Sequence, residues 1–118
     1  MNANELKDRT KNFAHRCVKL SMSLPEDSLG KHLRNQLIRC STSVAANYRA
    51  TCLSQSKKSF IAKLSIVIEE VDETSFWLEF IIDEGIFSAE KIGPLLSEAN
   101  ELTSIFIVSR KTAEDNNQ

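Results

Sequence analysis

Four carboxylates fall within five residues, Glu69, Glu70, Asp72 and Glu73, and clustered carboxylates are raw material for metal binding or acid–base catalysis. A di-iron bundle would also need a histidine three residues after a glutamate on two of its helices. The only histidines are His15 and His32, and the positions three before them hold Asn12 and Leu29. That metal reading fails. Acid–base work by the carboxylates needs a cleft, which one helix face does not supply. Cys17 with His15, or Cys40 with His32, has the residue types of a thiol nucleophile pair. Neighbours two apart on a helix diverge, however, and the step from 32 to 40 spans more than two turns. The three cysteines, Cys17, Cys40 and Cys52, form no CxxC pair. They suit neither a zinc site nor a disulfide framework, and read instead as small buried hydrophobes inside helices. Gly30, Gly85 and Gly93 are the only glycines, so no glycine-rich phosphate loop is present. The residue types predict a protein without enzymatic activity, metal or cofactor.

What must position these side chains is a set of helices. The scarcity of glycine, and of proline (Pro25 and Pro94 alone), disfavours turn-rich β and nucleotide-binding α/β folds. Leu6, Phe13, Cys17, Leu20 and Leu24 mark a heptad seam over about 4–23, which Pro25 ends, with Ser28 as the next cap. Residues 31–84 lack both glycine and proline; one helix of that length is too long for so small a domain. The polar run 54–59 divides it, with Ser56 as cap. A second helix then spans 28–53, with Leu33, Leu37, Cys40, Val44 and Tyr48 inward. A third spans 57–84, with Phe60, Leu64, Val67, Val71, Thr74, Leu78 and Ile81 in unbroken 4–3 alternation. A fourth follows Ser88 over 89–112, with Pro94 in its first turns or at a kink. The prediction is a single all-α domain over residues 1–118, an antiparallel up-down-up-down four-helix bundle. The polar start of the chain and the lack of a long apolar run predict a cytoplasmic protein without a membrane span.

Binding surfaces follow from what the core leaves over. The third helix carries more apolar residues than one stripe needs, notably Phe76, Trp77 and Phe80. Either a large core absorbs them or they form a subunit interface, and the interface is the favoured reading. Gln36, Cys40, Ser43 and Asn47 line up on the second helix as a register-fixing polar network, or less simply a ligand site. Charge is polarised: residues 1–63 carry 12 Lys/Arg against 4 Asp/Glu, and residues 64–118 carry 3 against 12. A turn near 53–57 sets Arg39 opposite Glu69, Glu70, Asp72 and Glu73, and Lys31 opposite Glu79. Those charges read as structural. Arg49, Lys57, Lys58 and Lys63 instead gather at one end with Lys7, Arg9, Lys11, Arg110 and Lys111. Three outcomes are open for this basic end: contact with nucleic-acid phosphates, docking on the acidic flank of another copy, or simple solvation.

The segment Gln36-Leu-Ile-Arg39-Cys-Ser-Thr-Ser43-Val-Ala-Ala-Asn47-Tyr48-Arg49-Ala50 resembles the central signature of the 23S rRNA intervening-sequence protein family. The run from Ser56 to Leu64 and the acid- and aromatic-rich stretch Glu69–Glu79 extend the resemblance, which covers roughly residues 5–112. It implies a left-handed four-helix bundle that assembles as a homopentamer, with no established enzymatic activity and no catalytic residues to carry over. A related bundle, the accessory variability determinant of diversity-generating retroelements, is basic, binds nucleic acid and partners a reverse transcriptase; this chain differs in its net charge of −1. The combined expectation is an oligomeric assembly module associated with RNA or ribonucleoprotein. The alternative is a protein–protein adaptor that uses the acidic third helix without nucleic acid.

Overall fold

The computed structural model describes residues 1–116. Four helices follow one another along the chain: α1 (Ala3–Met22), α2 (Ser28–Thr51), α3 (Lys57–Asp83) and α4 (Ala89–Asp115). They lie side by side in a rod of 51 × 21 × 20 Å. Each packs closely on its neighbour in sequence, and the α1–α4 edge is the lightest of the four seams. No described helix is long and apolar enough to cross a membrane.

Every helix begins on a side-chain cap that takes up a free backbone N–H. Asn2, Asp27, Ser56 and Ser88 accept from the amides of Glu5, Gly30, Ser59 and Lys91. Ser56 and Ser88 match the sequence expectation; at α2 the cap is Asp27 rather than Ser28. The backbone at Asp27 is still extended, and its carboxylate accepts from Gly30 N at 2.7 Å. Ser28 is thus already the first helical residue. α3 ends where Gly85 turns to φ 69°, letting Ile86 N donate to Ile81 O and Gly85 N to Ile82 O. That pairing closes the last turn, and glycine supplies the left-handed backbone at no steric cost. α4 begins before Pro94 and continues past it, so Glu90 O is left without its helical donor.

The heptad positions form the core. Leu33, Leu37, Cys40, Val44, Leu64, Val67, Val71, Leu78, Ile81, Ile92, Leu102 and Phe106 are wholly buried. Three buried hydroxyls, Ser21, Thr51 and Thr74, each donate to the carbonyl four residues back, at 2.7–2.8 Å. Their donors are satisfied within their own helices, while the Cys17 and Cys40 thiols meet the Ser41 and Thr74 hydroxyls of the neighbouring helix.

The α1–α2 turn is held by a side chain that spacing alone does not single out. Arg34 donates to Leu24 O at 3.0 Å, to Ser21 O at 3.3 Å and to Glu26 at 2.6 Å. The pairing holds the Glu26 carboxyl below its ordinary value, through the hydrogen bond and then the charge of Arg34. Arg34→Ala is expected to lower stability by about 1–2 kcal/mol, because two carbonyls at the α1–α2 turn lose a charged donor; a shift in the urea midpoint measures it.

Candidate assembly and nucleic-acid surfaces

Arg39 on α2 reaches across to α3, where its guanidinium meets Glu73 and lies 3.6 Å from Glu70. It also donates to the Gln36 side chain at 3.1 Å, and Glu73 accepts the indole N–H of Trp77 at 3.2 Å. Gln36, Arg39, Glu70 and Glu73 are therefore brought together, with Trp77 added. Ser43 and Asn47 stand apart: Asn47 donates to the backbone carbonyl of Ser43, within α2 itself. No ion pair joins Lys31 to Glu79 among the described residues, although the two helices run in the expected register. The Arg39 cluster is half-exposed, so its value lies in fixing register more than in stability.

The three aromatics in the last turns of α3 share a cluster but not an exposure. Phe76 and Trp77 meet edge to face at 4.9 Å, and Phe80 lies 6.0 Å from each. Trp77 is half-buried, with His32 of α2 at 5.5 Å on its edge. One helical step of 100° separates Phe76 from it and turns Phe76 outward, where it is 51% exposed. Phe80 lies between these extremes. The outward face of α3 thus shows Phe76 and Ile66 (45% exposed) among the exposed acids Glu69, Asp72, Glu79 and Asp83. None of these four acids has an ion-pair partner among the described residues.

At the basic end the candidate cations sort into tied and free. Arg110 reaches Ser65 at 3.2 Å and Glu114 at 3.7 Å, and Lys57 donates to Asn116 O at 2.6 Å. Arg9 leaves the cluster altogether. It forks onto Glu98 through two bonds of 2.6–2.7 Å and touches Glu101, so it ties α1 to α4 across their light seam. That hydrogen bond to Glu98 raises the Arg9 pKa against the opposing effect of burial. Arg49, Lys58, Lys63 and Lys111 are exposed and without an ion pair among the described residues.

A groove of about 720 Å³ runs between α1 and α2, and charge counting along the chain does not reveal it. Ala14 and Val18 on one side and Ala45 and Ala46 on the other make a small apolar floor. Lys7, Lys11 and His15 line it from α1 and Arg49 from α2, with Asp8 the one acid. Its lining residues stand at three- and four-residue steps on the outer faces of both helices, away from the core stripe.

Two of the three cysteines are thiols held protonated by burial. Cys17 is fully buried, and burial pushes its thiol up to about 12, with the neighbouring Cys40 adding to the shift. Burial raises Cys40 as well. A thiol held protonated is a poor nucleophile and a poor metal ligand. Cys52 lies at the end of α2, half-buried and outside the helix proper. No group of three or more His, Cys, Asp or Glu side chains suited to a metal ion occurs among the described residues.

Four helices joined in antiparallel succession, with a paired-charge seam and an apolar core, define a four-helix-bundle protein. The family model described as 23S rRNA-intervening sequence protein matches residues 2–107, and the chain belongs to that family. A protein of unknown function from the S23 ribosomal protein family of Bacteroides thetaiotaomicron has a similar crystal structure. It is 32% identical, the match covers 94% of this chain and 99% of that one, and the TM-score is 0.86. No curated protein matches the chain.

Proposed function

We propose that the protein is a non-enzymatic assembly module of the cytoplasm that associates with copies of itself through the outward face of α3. The observation that supports this reading is Phe76, a large aromatic 51% exposed on the outer side of an aromatic cluster, on a helix that already fills its core stripe. Hiding such a face against another chain removes apolar area from water at roughly 25 cal/mol per Å². A closed ring is the proposed form, of five copies by the family resemblance. Phe76→Ser is expected to lower the assembled mass by light scattering while helicity by circular dichroism stays unchanged. An unaltered mass would remove the α3 face from the interface.

The free cations favour a second element of the same reading, contact with RNA. Lys58, Lys63 and Lys111 have no ion pair among the described residues. The family's description also names an rRNA. Contact through phosphates predicts binding that ignores sequence and weakens steeply with salt. Lys58→Gln/Lys63→Gln/Lys111→Gln is expected to weaken binding to a structured RNA at least tenfold and to flatten the salt dependence. Affinity indifferent to both salt and the variant would favour the adaptor alternative, in which acidic α3 meets a protein partner.

A further inference from the structure

Resting on the proposed self-association, we infer that the α1–α2 groove of one copy receives the outward face of α3 from the next. The two surfaces are complementary in the two ways that matter. The groove offers a small apolar floor, Ala14, Val18, Ala45 and Ala46, beneath Lys7, Lys11 and Arg49. The α3 face offers Phe76 and Ile66 among Glu69, Asp72, Glu79 and Asp83. None of these groove cations and stripe acids is spent on an ion pair within its own chain among the described residues.

A phosphate backbone would satisfy the cations and leave the apolar floor unused. An acidic amphipathic helix satisfies both, and small floor residues let a helix approach closely. This chain carries such a helix in α3. α3 itself would meet poor complementarity in another α3, because like-charged acids would face one another. The groove belongs to α1 and α2 and the stripe to α3, so the contact joins unlike surfaces. A head-to-tail contact of that kind leaves both ends free to continue until a ring closes.

The test uses two full-length variants and their mixture, read by light scattering beside the wild type. Lys7→Glu/Lys11→Glu/Arg49→Glu disables the groove and keeps the stripe; Glu69→Lys/Asp72→Lys/Glu79→Lys does the reverse. Each alone is expected to run near the single-chain 13.3 kDa. An equal mixture is expected to reassemble into species larger than one chain, because the acidic stripe of the first variant meets the basic groove of the second, and the two reversed surfaces, Lys stripe and Glu groove, are again opposite in charge. Should charge reversal reduce helicity, Lys7→Gln/Lys11→Gln/Arg49→Gln serves as the groove variant, with a lowered assembled mass expected. A groove variant that assembles like the wild type would overturn the inference while leaving self-association through α3 standing. So would a mixture that stays monomeric, or a groove variant that assembles normally and loses only RNA binding. A monomeric wild type overturns the proposed self-association, and the inference with it.

Discussion

Gly30→Ala is expected to destabilise the protein by about 3 kcal/mol. A Cβ at Gly30 would sit 1.9 Å from the carbonyl oxygen of Pro25 and 2.7 Å from its carbonyl carbon. Backbone atoms cannot swing aside as a flexible side chain can, so the α1–α2 turn must open. Overpacking of this kind costs about 1–3 kcal/mol. Opening the turn also weakens the Asp27 cap, which donates nothing but accepts from Gly30 N, and a lost cap costs about 1 kcal/mol more. Gly93→Ala is the control. Apart from its chain neighbours and its own helix backbone, nothing lies within 4 Å of a Cβ there, and the helix-propensity gain of alanine is offset by its place before Pro94, so the change is expected to be close to neutral. Urea unfolding of both variants measures the contrast; a Gly30→Ala protein as stable as the wild type would mean the turn is not held as described.

The second large effect is a loss of stability in alkali that Cys17 dictates. Its thiol is raised from an ordinary 9.0 to about 12 in the folded chain. Below pH 9 both folded and unfolded chains carry the protonated thiol, and its full contribution is present. As pH rises from 9 towards 12 the unfolded chain releases that proton while the folded chain keeps it, so unfolding is favoured. One such group lowers stability by roughly 1.4 kcal/mol per pH unit in that window. Cys17→Ala is expected to lower stability at neutral pH by a constant amount and to make its slope above pH 9.5 shallower by about that figure. Cys40 and Tyr48, whose values burial also raises, keep a residual slope in both proteins. Parallel lines for the variant and the wild type would show that Cys17 ionises freely in the fold.

Most of the fold was legible because periodicity and punctuation agree. The 4–3 alternation from Leu64 to Ile81 is the wholly buried stripe of α3, and Ser56, Ser88 and Gly85 stand at the helix ends they announce. The turn between α2 and α3 set the register closely enough to place Arg39 beside Glu70 and Glu73. Beyond that, spacing runs out. It placed Ser43 and Asn47 on a polar stripe, yet a helix can satisfy such groups from its own carbonyls, as Asn47 does. It could not show that Arg9 pairs across the rod with Glu98, because α1 and α4 are not joined by a turn that fixes their register. Nor does a glycine count reveal that Gly30 lies against the Pro25 carbonyl, which only the folded turn brings near. The aromatic cluster was legible as residue types, and the 100° between Phe76 and Trp77 decided which ring faces outward.

The most direct measurement is the mass of the wild-type protein in solution by sedimentation equilibrium at moderate salt and tens of micromolar chain. Burial of the outward face of α3 between copies predicts a discrete species several times the 13.3 kDa of one chain, five times in the ring proposed. A single species at the mass of one chain, unchanged on concentration, would contradict it.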